Sequence, residues 1–179
     1  MFRCKISDDL ELRLFEQRHA DALFALSDQN RDYLRVWLPW VDATRTVEDT
    51  RRFIREALAR FAANEGFSAG IWYRDWLAGG IGVHKIDWLN RNTSIGYWLT
   101  EGLQGKGVVT SACRAVLNHL FGEPKLNRVE IRCGVGNRKS RAIPERLGFT
   151  EEGIVRQAQW VNDRFVDLVV YGMLAQDWR

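Results

Sequence analysis

Hydrophobic and polar positions follow two rhythms along this chain. A two-residue rhythm at residues 2–6 and 10–15 predicts two short strands around a Ser7-Asp8-Asp9 turn. A helical rhythm follows over 19–30, with Ala20, Leu23 and Phe24 on one face. Leu34, Val36, Trp37, Leu38 and Trp40 then make an aromatic-rich connecting segment ending around Pro39. Residues 46–65 predict a long helix, with Thr46 as its cap and Glu48 and Asp49 in its first turn. Phe53, Ile54, Ala57, Leu58 and Phe61 share its apolar face, and Asn64-Glu65-Gly66 stops it.

Residues 67–73 and 76–86 read as a hairpin around Arg74-Asp75, and 87–92 turn the chain into an apolar, aromatic strand at 95–99. Val109, Ala112, Cys113, Val116, Leu117 and Leu120 then recur at the spacing of one helix face. Beyond this central helix come a strand at 128–133, a short helix at 140–147, and a closing hairpin of 154–161 with 165–174 around Asn162-Asp163. The expected fold is α/β: a mixed, largely antiparallel twisted sheet of about seven strands flanked by about four helices. One domain over residues 1–179 is the simplest division, long enough to bury about 70% of its unfolded surface.

Between the strand at 95–99 and the central helix lies Gly102-Leu103-Gln104-Gly105-Lys106-Gly107. Glycines let the backbone approach a ligand closely, and the first amides of a helix have no intrahelical acceptor. The helix dipole favours negative charge there, so phosphate is the natural guest. The Walker pattern fails, because Gly107 follows Lys106 where Ser or Thr is needed; the dinucleotide pattern fails at Thr110. A ligand-free glycine turn is the plain alternative.

A net charge of +3, with arginines spread along the chain, gives no basic tract for nucleic acid. Cys4, Cys113 and Cys133 are odd in number and lack metal-ligand spacing, which points to a reducing cytoplasm and no metal. Cys113 sits on the apolar helix face and reads as a packed thiol. No signal-peptide core opens the sequence, and no apolar run is long enough for a membrane span.

A second stretch adds to the glycine turn. The strand at 128–133 leads into Asn137 and Ser140, then Leu147-Gly148-Phe149 and Glu152-Gly153. With Ile95-Gly96-Tyr97-Trp98-Leu99 and Gln104-Gly105-Lys106-Gly107, these residues resemble the GCN5-related N-acetyltransferase (GNAT) superfamily, and within it the RimJ/RimL group that acetylates ribosomal-protein N-termini. The resemblance covers most of the chain, including Leu34, Trp37 and Leu38.

That resemblance implies acetyl-CoA as co-substrate. The backbone of Gln104, Gly105, Lys106, Gly107, Val108, Val109 and Thr110 would cradle its pyrophosphate, although Val109 stands where Gly or Ala is usual. The pantetheine arm would pair like an added strand with the backbone around Tyr97, Trp98 and Leu99, which requires the central strand to splay from its neighbour, commonly through a bulge. Asn137 would bond the arm. Ser140 would protonate the leaving thiolate; its plain alternative is an N-cap.

The general base departs from the family pattern. The resemblance implies a base here: many relatives carry Glu where this chain has Ser94, and RimL-type members can carry another where it has Gln159. His84, Asp87 or a water chain remain. An α-amine titrates near 7.8 and a lysine near 10.4, so at one pH their free-amine fractions differ by roughly 3.5 kcal/mol. A site without a strong base therefore favours α-amines. The first reading is an N-acetyltransferase for the N-terminus of a ribosomal or other protein. The alternatives are acetylation of a small amine or aminoacyl antibiotic, and a non-catalytic coenzyme A-binding module. Exposed aromatics would allow a homodimer.

Overall fold

The computed structural model describes residues 3–179. The strands are β1 (Arg3–Lys5), β2 (Leu10–Leu14), β3 (Phe67–Tyr73), β4 (Trp76–Val83), β5 (Asn92–Leu99), β6 (Arg128–Gly134), β7 (Thr150–Val161) and β8 (Arg164–Leu174). The helices are α1 (Ala20–Gln29), α2 (Arg31–Leu34), α3 (Val47–Ala62), α4 (Val108–Gly122) and α5 (Arg138–Arg146). One sheet runs β1-β2-β3-β4-β5-β6-β8-β7. Every neighbouring pair is antiparallel except β5–β6, which is parallel. A parallel neighbour needs a crossover, and α4 supplies it.

The predicted apolar face of α4 is buried in full, from Val109 to Leu120, against one side of the sheet. α1 and α3 cover the other side, where Ala20, Leu23 and Ile54 pack with Phe15 and Trp72. The hairpin turns fall as expected at Arg74-Asp75 and Asn162-Asp163, all four residues at positive φ. Thr46 and Asp49 form a reciprocal capping box at the start of α3.

Several boundaries differ from expectation. The sheet has eight strands rather than about seven, and there are five α-helices among the described residues, because the Leu34 segment contains the short α2. Phe2 lies outside the described residues. β4 ends at Val83 rather than at 86, since Ile86 N donates to Glu65 O and draws the chain off the sheet. α3 ends at Ala62, followed by Asn64 at φ 57°. Phe53 leaves the expected buried face: it is 40% exposed, its ring edge against Phe15.

The feature that positions the site is the divergence of β5 from β6. Their pairing runs only from Asn92↔Arg128 to Ser94↔Glu130. Beyond Ser94, β5 stays in regular register with β4 through Gly79↔Leu99 and separates from β6. The splay needs no bulge in β5, contrary to the expectation; the parallel ladder simply ends.

Candidate active site

The splay opens a cleft of about 1010 Å³ between the sheet, α1–α3 and α5. At one end lies the glycine turn. Gly105 and Gly107 have φ of 75° and 74°, in the left-handed region that disfavours side chains. Gly107 is the N-cap of α4 and offers no side-chain cap. Among the described residues, the amides of 105–110 have no backbone or side-chain acceptor. The first amides of any helix lack an intrahelical acceptor, and here they stand at the border of the cleft, where a ligand can take them. A diphosphate supplies the acceptors and the charge that the dipole favours.

Gln104 braces this turn from both sides. Its Nε2 donates to the Tyr33 hydroxyl on α2, and its Oε1 accepts from Lys139 Nζ on α5 at 2.7 Å. Gln104, Gly105, Gly107, Val108, Val109 and Thr110 border the cleft, whereas Lys106 is exposed and does not. Val109 is buried, so its bulk points into the core and away from the turn.

Strand parity decides which backbone groups face the gap. His84 N donates to Ser94 O, and Thr100 N donates to Ala78 O. Alternation along β5 therefore turns Gly96 and Trp98 toward β4, and Tyr97 and Leu99 toward the gap. Tyr97 and Leu99 can pair with an added strand. Trp98 borders the cleft through its ring instead, 5.8 Å from that of Trp40. Gly80 makes room for it, since a Cβ there would lie 2.8 Å from Trp98 Nε1.

Across the gap, Asn137 and not Ser140 is the N-cap of α5: its Oδ1 accepts from Ser140 N at 3.2 Å. This removes the capping alternative for the serine. Ser140 Oγ instead meets Cys133 Sγ at 3.2 Å and the Tyr97 hydroxyl at 3.5 Å, and that hydroxyl donates to Ser140 O at 3.0 Å. Burial pushes the Tyr97 phenol well above its ordinary value and raises the Cys133 thiol, so both stay protonated at neutral pH. The cluster is a set of protonated donors beside the open edge of β5. Asn137→Ala should cost about 1 kcal/mol of stability through the lost cap. It should also weaken acetyl-CoA binding, read together by thermal melts and calorimetric titration.

The other side of the cleft is aromatic. Trp37 lies over Gly134 and Gly136, where a Cβ would come within 2.8 and 3.1 Å of its ring. Leu34, Leu38 and Trp40 continue this wall. His84 borders the cleft, its Nδ1 2.8 Å from Ser94 Oγ, and Gln159 reaches it from β7. Asp87 does not border it. It accepts from the backbone and side chain of Asn90 and builds the turn before β5.

Sequence reasoning missed the Tyr97 hydroxyl, Cys133 and the Tyr33–Gln104–Lys139 brace. The parity of β5 was the available signal for Tyr97, which shares a face with Ile95 and Leu99 toward α4. The other groups meet only through tertiary contact.

The description Acetyltransferase (GNAT) domain matches residues 9–150. YdaF of Bacillus subtilis (strain 168) is 40% identical over 179 residues, covering 99% of this chain and 98% of its own. The ribosomal-protein-serine acetyltransferase of Escherichia coli (strain K12) is 32% identical over 170 residues, 95% of each chain. A solved structure of RimL, a ribosomal L7/L12 alpha-N-protein acetyltransferase in complex with coenzyme A, superposes with a TM-score of 0.93 at 28% identity, covering 96% of this chain and 97% of that one. With fold, sequence and a matched domain in agreement, this chain belongs to the GNAT acetyltransferase family and is an acetyl-CoA-dependent N-acetyltransferase.

Proposed function

We propose that the chain acetylates the α-amine of a protein N-terminus, a ribosomal protein being the first candidate, within the cytoplasm and as one catalytic domain. The observation that carries the acyl-transfer reading is the row of acceptor-free amides at 105–110 opening beside the free edge of β5. The pyrophosphate rests on those amides, and the pantetheine arm follows the backbone of Tyr97 and Leu99. This delivers the thioester to the Tyr97–Ser140 cluster. Ser140 donates its proton to the departing thiolate, an adequate match for a thiol that titrates near 8.5. The acceptor enters from the aromatic side, between Trp37, Trp40 and Trp98.

The α-amine preference follows from the neutral residues Ser94 and Gln159, which offer no carboxylate to strip a lysine. The name of the E. coli relative supports a ribosomal acceptor. The aromatic pair Trp40–Trp98 favours a second reading, a small aminoacyl compound stacked between indoles. β7 is an exposed edge strand carrying Ile154, Val155 and Trp160, a surface suited to a second copy of the chain.

Thiol release from acetyl-CoA with a peptide panel tests the proposal. A peptide with a free N-terminus should turn over about 100-fold faster than its N-blocked counterpart carrying an internal lysine. Preference for the lysine, or turnover only with small aminoacyl compounds, would overturn it.

A further inference from the structure

We propose that His84 takes the proton from the acceptor ammonium and that Ser94 positions it, an arrangement resting on the α-amine reading above. His84 follows β4 and lies directly across from Ser94 on β5. The two form a hydrogen-bonded pair, His84 N to Ser94 O at 2.9 Å, so their side chains leave the same face of the sheet. That face is the one covered by α1 and α3, where the acceptor enters; Ser140 works from the other side of the gap. Nδ1 of His84 lies 2.8 Å from Ser94 Oγ.

Nε2 has no protein partner among the described residues. Its direction is set by Gly96: a Cβ there would stand 3.1 Å from His84 Cε1 and 3.2 Å from Nε2. The glycine beside Tyr97 thus lets the imidazole lie against β5, its Nε2 edge beside the residue before the free edge. With Nδ1–H donating to Ser94 Oγ, Nε2 holds a lone pair toward the cleft. Ser94 is in this arrangement the support of a base carried by the neighbouring strand.

The charged groups on the facing wall belong to α3: Asp49, Arg52, Glu56 and Arg60. From β3 and β5 the neighbours Ser68 and Ser94 are uncharged, and Lys85 follows on the same segment. Desolvation of the ring against the cleft wall, partial because the side chain is still open to solvent, and then the Arg60 charge lower the His84 pKa, so the neutral ring that can accept predominates at pH 7.

In the step itself, Nε2 accepts one proton from the ammonium and holds it through the attack, releasing it to solvent only after the amide has formed. The freed nitrogen pair attacks the thioester carbonyl and the C–N bond forms. The C–S bond then breaks, and the sulfur takes the Ser140 proton. The second proton leaving nitrogen returns through water to Ser140, and the balance is amide, free thiol and one released proton.

The test is kcat for a serine-initiated peptide with saturating acetyl-CoA across pH 5.5 to 9, in the ranges set by these groups. Wild type should be flat above about pH 6.5. His84→Gln leaves only the free-amine fraction, about one-twentieth at pH 6.5 for a pKa near 7.8. It should therefore lose about 20-fold there, climb with unit slope, and rejoin wild type above about pH 8. Ser94→Ala frees the tautomer and should lose about fivefold with a displaced acid limb, and Ser94→Thr should restore it.

A His84→Gln profile parallel to wild type and within about threefold overturns the base. So does loss of acetyl-CoA binding in that variant, which would make His84 a structural residue. A Ser94→Ala profile superimposed on wild type overturns the positioning role. Absence of turnover by wild type on every amine overturns the underlying transfer reading and the base with it, an outcome distinct from either variant result.

Discussion

Gly107→Val should raise the dissociation constant for acetyl-CoA by about 100-fold or more while leaving a folded protein. Gly107 holds φ at 74° as the N-cap of α4. A side chain there costs about 1–2 kcal/mol of backbone strain, more for a β-branched one, and the turn must relax away from its present path. Relaxation misdirects the amides that follow. Charge-assisted hydrogen bonds contribute about 1.5–3 kcal/mol each, so losing two removes about 3 kcal/mol at the least. Each 1.4 kcal/mol is a factor of about ten, which gives the stated loss. Gly148→Val is the matched control. Gly148 holds φ at 80° with open space around its Cβ position, and it does not border the cleft. It should lower the melting temperature comparably and leave acetyl-CoA affinity within about threefold. Calorimetric titration of both variants reads the difference. Equal loss of affinity in the two would make the turn a generic structural element and remove the cradle.

How much of this was legible in the sequence follows from the range of each interaction. The face of α4 could be traced from Val109 to Leu120 because burial against one sheet imposes a 3.6-residue period on the chain itself. The turns at Arg74-Asp75 and Asn162-Asp163 were legible because the flanking strands leave room for two residues only. Phe53 was misplaced because periodicity cannot distinguish a core from a cleft wall; both are apolar. Trp98 was grouped with Tyr97 and Leu99 as a backbone partner, yet strand parity is fixed by pairing with β4, which lies some twenty residues earlier in the chain. Lys106 has a suggestive neighbourhood in sequence, but the turn points its side chain to solvent. Asn137 and Ser140 were marked by the family resemblance, and their spacing explains the cap: an Asn accepts from the amide three residues on, which here belongs to the serine. That bond leaves the serine hydroxyl to face the gap. The union of Tyr97, Cys133 and Ser140 comes from β5, β6 and α5 and leaves no local trace in the sequence.

Ser140→Ala with Tyr97→Phe should lower kcat by about 1,000-fold with little change in acetyl-CoA affinity. The leaving thiolate needs a proton as the C–S bond breaks, and a positioned donor contributes about 100- to 10,000-fold. Ser140→Ala alone should lose about 100-fold, since the nearest replacement is the phenol 3.5 Å from the missing oxygen. Tyr97→Phe alone should lose about tenfold: Ser140 keeps its hydroxyl, but α5 loses the bond from the phenol to Ser140 O. The 1,000-fold figure is the product of the two single losses; the two groups touch, so a double-mutant cycle on kcat measures how far the pair couples beyond that product. The direction of the Tyr97 shift fixes the pH behaviour. Burial raises that pKa well above the usual phenol value, so the hydroxyl remains a donor as pH rises. The wild-type rate should show no alkaline fall below about pH 9.5, and Tyr97→Phe should leave that limb unchanged. A rise in the acetyl-CoA dissociation constant matching the fall in kcat would make the cluster a binding surface, because a group that acts only as the bond to sulfur breaks cannot weaken the ground-state complex.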